Sequence, residues 1–230
     1  MKTATNPKRA LVIGATGLVG QSLITQLLAD EHYCQVINFS RSDLPANFTH
    51  NKLVQIKTDF DHLEAHVQDI VGDTLFCCLG TTIKHAGSQQ AMIRVDQTYP
   101  VEFATLAKLN GATRLVFISS IGAKVGASSF YLNLKGETEH QLLQLGFDHS
   151  LIVRPSVLVG PRPEKRIGET FGKYVLTALQ FIPFISQYKP ITADTVSRAV
   201  CQIIADQKQS VTIAENRRLQ SFKNPKIRIF

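Results

Sequence analysis

Short apolar runs alternate with longer amphipathic segments along most of the chain. A run that is apolar at nearly every position is typical of a strand buried on both faces, whereas apolar residues that recur every three or four positions predict a helix. The predicted strands span residues 9–15, 35–40, 53–58, 73–80, 114–120 and 149–160. The predicted helices span residues 17–30, 61–70, 89–110 and 130–145, with two more at about 168–180 and 193–206.

This alternation predicts one α/β domain over residues 1–230. Strands that alternate with helices form right-handed βαβ units, which build a doubly wound parallel sheet with helices on both faces. We expect six or seven strands. A polar, proline-rich stretch follows residue 160, so we expect residues 160–206 to form a small helical lid over the strand ends, where open α/β sheets bind ligands.

Composition and charge narrow the class of protein. The 230 residues are 44% hydrophobic and 19% charged, as in globular proteins, and no apolar run approaches the roughly 18 residues of a membrane span. The net charge of +7 comes from the termini: residues 1–9 carry three basic side chains, and residues 215–230 carry five against one acid. Because a nucleic-acid-binding fold concentrates such charge on a folded face, we expect solvated tails. Contact of these tails with a polyanion stays a minority interpretation.

The cysteines and histidines predict neither disulfides nor a metal site. The four cysteines form no CxxC pair, and we expect the adjacent Cys77 and Cys78 to pack on opposite sides of a buried strand. This usage is typical of a reducing compartment, and the N-terminus lacks the pattern of a signal peptide, so we expect a cytoplasmic protein. His62 and His66 have the spacing of zinc ligands, but a solvated helix face explains them better because no third ligand is evident.

A glycine-rich turn follows the first predicted strand. GATGLVG has a GxxGxxG spacing and lies between a predicted strand and a predicted helix. Glycine permits positive φ and close backbone approach, and the helix that follows directs free N–H groups at a phosphate. This context predicts the pyrophosphate site of a dinucleotide, with a purely structural turn as the alternative. The residues assigned to it are Gly14, Thr16, Gly17, Leu18, Val19 and Gly20.

The end of the second predicted strand favours NADP(H), with NAD(H) as the alternative. An acid at this point would bind the ribose 2′-hydroxyl and repel a 2′-phosphate. The chain has Ser40, Arg41 and Ser42 instead, and arginine offers a bidentate fork to phosphate. Asp59 is predicted to meet the adenine amino group. The loop expected to run beside the adenosine half of the cofactor comprises Leu79, Gly80, Thr81 and Thr82.

A tyrosine and a lysine share one face of the helix predicted at 130–145. FYLNLKGE places Tyr131 and Lys135 at i and i+4, where they can form a proton-transfer pair. The spacing alone is common on helix surfaces. Its position after a cofactor turn, and after Ser120 at the end of the fifth strand, favours a functional site with both side chains directed at the nicotinamide.

Several motifs in order resemble one family. GATGLVG, FISS, YLNLK and RPSVLVG resemble the short-chain dehydrogenase/reductase superfamily, whose fold is the Rossmann type. FCCLGTT, RVDQTY, LAKLNGA, SSIGA, FYLNLKGETE and RPSVLVGPR are similar to the atypical branch that includes the Tat-interacting oxidoreductase-like proteins. The resemblance covers roughly residues 10–170.

This resemblance implies a Ser–Tyr–Lys site. Tyr131 would be the general acid/base, Lys135 would hold the cofactor ribose and lower the pKa of the tyrosine, and Ser120 would orient a substrate carbonyl, with Ser119 as the competing serine. The residues that would line the nicotinamide are Pro155, Ser156 and Val157. Many members carry an asparagine on the long helix, where this chain has Asp96, so the role of that residue stays open.

We therefore expect an NADP(H)-dependent oxidoreductase that transfers hydride to or from a small carbonyl or alcohol. A dinucleotide-sensing or partner-binding protein without turnover is the first alternative. A nucleotide-sugar epimerase or dehydratase is the second, because it uses the same three side chains. Neither the substrate, the direction of the reaction nor the oligomeric state follows from the sequence.

Overall fold

A seven-stranded, all-parallel sheet forms the centre of the protein. The computed structural model describes residues 7–160 and 188–223. The strands of the sheet are β1 (Lys8–Ile13), β2 (Tyr33–Ser40), β3 (Leu53–Lys57), β4 (Thr74–Cys77), β5 (Arg114–Ile118), β6 (His149–Arg154) and β9 (Val211–Glu215). Their order across the sheet is β3-β2-β1-β4-β5-β6-β9. A separate parallel pair consists of β7 (Leu158–Val159) and β8 (Ile191–Thr192).

Helices cover both faces of this sheet. In chain order the described α-helices are α1 (Leu18–Ala29), α2 (Ile83–Ala86), α3 (Gln89–Ile93), α4 (Tyr99–Leu109), α5 (Phe130–Gln144), α6 (Ala193–Asp206) and α7 (Asn216–Gln220). A π-helical turn at Arg94–Thr98 joins α3 to α4, and a 3₁₀ turn lies at Leu63–His66. None of the helices in the described part of the chain is long and apolar enough to cross a membrane.

Two apolar clusters, one on each face, hold the helices to the sheet. Along β1, Ala10 and Val12 point to the cluster that contains α1 and α6, while Leu11 and Ile13 point to the cluster that contains α4. This period of two along a strand that is apolar throughout requires a cover on both faces. The prediction of a doubly wound, Rossmann-type α/β sheet is therefore confirmed.

The last predicted strand is shorter than expected. The apolar run at 149–160 pairs in the main sheet only as far as Arg154, because Pro155 follows and has no N–H to donate. Beyond it, β7 pairs with β8 outside the main sheet. The seventh strand of the main sheet is β9, which was not predicted; its residues alternate between exposed and buried.

Two predicted helices are interrupted. The helix expected at 61–70 reduces to the 3₁₀ turn at Leu63–His66. The long helix expected at 89–110 contains the π-helical turn, which directs Asp96 into the interior with none of its surface exposed.

The segment expected to form a lid divides in two. The predicted helix at about 168–180 lies outside the described residues. The second predicted helix is α6, and it packs against α1, where the Ser22 and Ser197 hydroxyl oxygens lie 2.7 Å apart. Because its apolar face is buried in the cluster that contains α1, α6 belongs to the wall of the domain, which corrects the expectation that it forms part of a lid.

Candidate functional site

Four loops that carry predicted site residues meet at one edge of the sheet. Because the strands are parallel, β1, β4, β5 and β6 all end at this edge. The amide of Cys78 donates to the Ile13 carbonyl at 2.8 Å, and that of Ile121 donates to the Pro155 carbonyl at 2.9 Å. These backbone bonds hold the end of β4 against β1 and the turn after β5 against the segment after β6.

The glycine-rich turn after β1 leaves no room for side chains at two of its glycines. Gly14 has φ +80°, and a Cβ there would lie 2.4 Å from the carbonyl carbon of Cys78. A Cβ on Gly20 would lie 2.2 Å from the Gly14 carbonyl oxygen, whereas one on Gly17 would lie 3.3 Å from it. Gly14 and Gly20 are therefore required by backbone packing, and Gly17 is the less constrained of the three.

The N-terminus of α1 opens beside this turn. Its N-cap is Gly17, which has no side chain to cap the helix, and the first turn carries no acid. Thr16 is exposed, whereas the side chain of Val19 is buried in the core. A phosphate at this point would meet backbone N–H groups and the positive end of the helix dipole. Leu18 packs close to Gly160, so the chain beyond β7 borders the same site.

The turn after β2 exposes Arg41 beside a cavity. The hydroxyl of Ser40 is buried and donates to the Ser42 carbonyl at 2.8 Å, so it shapes the turn, while Arg41 and Ser42 are exposed. The surface cavity measures about 390 Å³ and is lined by Arg41, Lys57, Thr58, Asp59, His62, Ala65 and His66. Its rim is basic, with Asp59 as its one carboxylate. A larger cavity, of about 450 Å³, lies between α6, β9 and α7, away from the predicted site residues.

A polar cluster that the sequence did not reveal adjoins this cavity. Asp61 accepts a hydrogen bond from the Tyr99 hydroxyl at 2.6 Å and pairs with Arg94. The Tyr99 hydrogen bond, followed by Arg94, lowers the pKa of the Asp61 carboxyl. Between Asp59 and Asp61, Phe60 has φ +64°, and its ring stacks on that of Tyr99. This cluster joins the turn after β3 to the π-helical turn.

Tyr131 and Lys135 lie on the first two turns of α5. Tyr131 is half-buried, and Lys135 is 2% exposed. The ammonium of Lys135 lies 4.8 Å from the centre of the Phe117 ring. Gly80, in the loop after β4, lies over this ammonium, since a Cβ on Gly80 would be 3.7 Å from Nζ. The ammonium of Lys135 therefore lies at the edge of the sheet where the four loops meet.

Lys135 has a buried partner, Asp96. The two charged groups lie 3.0 Å apart. Burial disfavours the ammonium, but the carboxylate beside it outweighs that cost and raises the pKa of Lys135. The second carboxylate oxygen of Asp96 accepts from the Thr81 amide at 2.8 Å. The open question about Asp96 thus has a structural answer: it binds Lys135 and the loop after β4 together.

The two candidate serines have different environments. Ser119 is 5% exposed, and its hydroxyl donates to Glu139 at 2.5 Å. Ser120 is half-buried, and its hydroxyl lies 3.4 Å from the carbonyl of Ile121. Glu139 also forms a bidentate pair with Arg154. The side chain of Ser119 is therefore engaged inside the core, and Ser120 is the more accessible of the two serines.

The segment after β6 is held by contacts from the C-terminal part of the domain. Pro155 and Ser156 are buried, and Val157 is half-buried. The amide of Ser156 donates to the Asn216 side chain at 3.1 Å, and its hydroxyl donates to the Lys189 carbonyl at 2.5 Å. The hydroxyl of Ser156 thus donates its proton to the backbone, so this segment would contact a nicotinamide by van der Waals packing.

The cysteine and histidine side chains lie in separate parts of the fold. Cys77 and Cys78 pack in opposite apolar clusters, and all four cysteines are free thiols. Within residues 7–160 and 188–223, three or more His, Cys, Asp or Glu side chains nowhere form a metal-binding group. The ring of His66 packs edge-on against Phe39.

Two kinds of curated relative match this chain. Protein HTATIP2 of Rattus norvegicus is 35% identical over 168 residues, which cover 72% of this chain and 69% of the relative. Protein FMP52, mitochondrial, of Eremothecium gossypii is 31% identical over 221 residues, which cover 92% of this chain and 96% of the relative.

The solved structures that match are more distant in sequence. A UDP-N-acetylglucosamine 4-epimerase from Methanobrevibacter ruminantium matches with a TM-score of 0.69 at 16% identity. The match covers 92% of this chain and 77% of that chain. A UDP-glucuronic acid 4-epimerase from Bacillus cereus, in complex with NAD, matches with a TM-score of 0.66 at 17% identity; the coverage is 91% of this chain and 78% of that chain. At these identities the likeness shows the fold alone.

The names of the relatives overturn one expectation. FMP52 proteins from Eremothecium gossypii, Kluyveromyces lactis and Candida albicans are each called mitochondrial. The prediction of a cytoplasmic location was drawn from cysteine usage and the N-terminal pattern, and it is contradicted by these names.

A family model agrees with the site that the loops form. The model described as NAD(P)H-binding matches residues 14–181, which begin at the first glycine of the turn after β1. The match covers most of the chain and includes α1, the loop after β4 and α5. The chain therefore belongs to the NAD(P)H-binding Rossmann family, in the atypical short-chain dehydrogenase/reductase group that contains HTATIP2 and FMP52.

Proposed function

We propose that this protein is an NADP(H)-dependent oxidoreductase that transfers hydride to or from a small carbonyl or alcohol. One observation carries the proposal: the buried Lys135, whose ammonium lies beside the Gly80 loop, is four residues from a half-buried tyrosine on α5. A lysine and a tyrosine placed for solubility would be exposed on the helix surface. Lys135 is instead as buried as the apolar core.

The residues of this chain would supply binding and one proton, since NADPH provides the hydride when it is bound. The phenol of Tyr131 would hold the proton given to the carbonyl oxygen and would accept it in the reverse direction. Ser120 would donate a hydrogen bond to the same oxygen. Lys135 would donate to the ribose hydroxyls, and its charge would stabilise the phenolate that remains after proton transfer.

The preference for NADP(H) rests on the cavity beside β2. Arg41 and Lys57 place two cations at its rim, and Ser40 and Ser42 stand where an acid would repel a 2′-phosphate. Asp59 lies on the same cavity, where it would accept from the adenine amino group. The cavity thus offers cations for a phosphate and an acceptor for a base.

Arg41→Ala is expected to weaken NADPH binding about 10- to 100-fold and NADH binding little, since a hydrogen bond to a charged group contributes about 1.5–3 kcal/mol. Titration of NADPH and NADH fluorescence measures both affinities. Arg217→Ala removes an equally exposed arginine from α7 and serves as the control. Equal losses for the two cofactors would show that Arg41 does not select the phosphate.

The test of the proposed function is a binding and turnover assay of the full chain. We expect the protein to bind NADPH more tightly than NADH and to oxidise it with at least one member of a panel of small aldehydes and ketones. Binding without turnover across the panel would leave the dinucleotide-sensing function. Retention of NAD with turnover of a UDP-sugar would point instead to an epimerase, the activity named for the structural neighbours.

A further inference from the structure

Asp96 is a fully buried carboxylate in a part of the fold that is shaped around it. It is 0% exposed, and an ionised group so far from water must be compensated by charge or hydrogen bonds. One oxygen meets the Lys135 ammonium and the other meets the Thr81 amide, at 3.0 and 2.8 Å. The carboxylate therefore joins α5 to the loop after β4.

The π-helical turn explains how Asp96 reaches both partners. A π-turn adds a residue to the helix and frees a backbone carbonyl from its usual partner. The Thr138 hydroxyl, one turn beyond Lys135 on α5, lies 3.2 Å from the carbonyl of Asp96. Helix α5 thus contacts both the backbone carbonyl and the carboxylate of Asp96. The contact with the carbonyl depends on the irregular turn.

The loop that Asp96 holds lies directly over the ion pair. A Cβ on Gly80 would lie 3.5 Å from the Asp96 carboxylate and 3.7 Å from Lys135 Nζ. Any movement of this loop relative to α5 would therefore separate the carboxylate from one of its two partners.

We propose that Asp96 is a positioning residue that ties the ammonium of Lys135 to the backbone of the loop at residues 79–82, so that both are in place before the cofactor binds. The inference rests on the proposed function for its consequences in catalysis. Its structural part is that Asp96 contacts both Lys135 and the loop at residues 79–82. This part concerns residues of this chain alone and is measurable without turnover.

The negative charge of Asp96 has a second effect, on proton transfer. The titratable groups that face Lys135 are the Asp96 carboxylate from the π-turn, the Tyr131 phenol from its own helix and the Cys77 thiol from β4. Without the carboxylate, burial would favour the neutral amine of Lys135. Carbonyl reduction needs Lys135 charged, so loss of the Asp96 carboxylate lowers the pH at which the rate begins to fall.

Two substitutions distinguish the contact of Asp96 with Lys135 from its contact with the Thr81 amide. Asp96→Asn keeps a side-chain oxygen for the Thr81 amide but removes the charge that faces Lys135. Asp96→Ala removes both. We expect amide hydrogen exchange at residues 79–82 to match the wild type in Asp96→Asn and to be faster in Asp96→Ala. We expect the alkaline limit of carbonyl reduction to move down by about one pH unit in both variants, the scale of a nearby charge.

The protonation of Lys135 is measured independently of activity by NMR titration of protein labelled with ¹³C at lysine Cε, with Lys135→Met identifying the signal. We expect its pKa to fall in Asp96→Asn. Glu139→Gln is the matched control, because it also neutralises a buried, ion-paired carboxylate but one that pairs with Arg154. It should lower the melting temperature and leave the titration of Lys135 in place.

Negative results in these experiments distinguish the inference about Asp96 from the proposed function. An unchanged Lys135 titration in Asp96→Asn, or unchanged exchange at residues 79–82 in Asp96→Ala, overturns the inference even if the enzyme is active. Absence of turnover in the wild type, with both structural effects present, overturns the proposed function alone. If the single variants do not fold, Asp96→Asn/Lys135→Met and Asp96→Ala/Lys135→Met bury no unpaired charge, and the same exchange difference between them tests the loop tie.

Discussion

Tyr131→Phe is expected to lower the turnover of carbonyl reduction by about 10²–10⁴-fold, the usual contribution of general acid catalysis, while NADPH binding stays close to that of the wild type. The substitution removes one oxygen and keeps the aromatic ring in the first turn of α5. The loss should therefore fall on kcat. Single-turnover oxidation of bound NADPH measures the chemical step directly.

Tyr33→Phe is the matched control for Tyr131→Phe. It removes a phenolic oxygen from β2, where Tyr33 is 6% exposed and its ring packs edge-on against Phe76, away from α5. A small loss of stability with normal turnover is expected. Equal activity of wild type and Tyr131→Phe would contradict the proposed role of the tyrosine while leaving the cofactor site intact.

Gly20→Ala is expected to destabilise the protein by about 3 kcal/mol or more and to abolish measurable NADPH binding. The new Cβ would lie 2.2 Å from the carbonyl oxygen of Gly14 and 2.7 Å from the Cα of Ala15. Both atoms are backbone and cannot turn aside as a side chain does, so α1 must move away from β1. Thermal unfolding and NADPH fluorescence titration measure the two losses.

Gly17→Ala tests the same turn with far less overlap. Its Cβ would lie 3.3 Å from the Gly14 oxygen, at a residue with φ −78°. We expect a loss of about 1 kcal/mol, the scale of replacing a favourable N-cap by alanine. Similar effects of the two substitutions would indicate that conformational freedom, and not close packing, makes these glycines necessary.

The glycine turn and the parallel sheet were predictable because their signals are local. Apolar runs buried on both faces require a sheet between two helix layers, and a glycine pattern between a strand and a helix marks the turn whatever the rest of the chain does. Tyr131 and Lys135 were predictable as neighbours because helical spacing alone puts them on one face.

Element ends and irregular turns were less predictable. Hydrophobicity continues past Arg154, yet the main-sheet strand ends there, since Pro155 has no N–H and the chain then pairs with β8. The π-turn inside the long helix leaves no mark in the apolar pattern, because the same side chains would also suit a regular helix. In strand β9 the apolar Val211 and Ile213 are exposed and Thr212 is buried, so its hydrophobic pattern does not mark the covered face.

The sequence by itself determined the fold class, the glycine turn after β1 and the place of Tyr131 and Lys135 on one face of α5, because each depends on residues close together in the chain. Only the tertiary structure decided which serine side chain is buried in the core and which groups Asp96 contacts. Ser119 is turned inward by Glu139 on another element, and Asp96 meets Lys135 and Thr81 only after α5, the π-turn and β4 have packed together. Such contacts depend on burial and distance in space, which residue types and spacing do not encode.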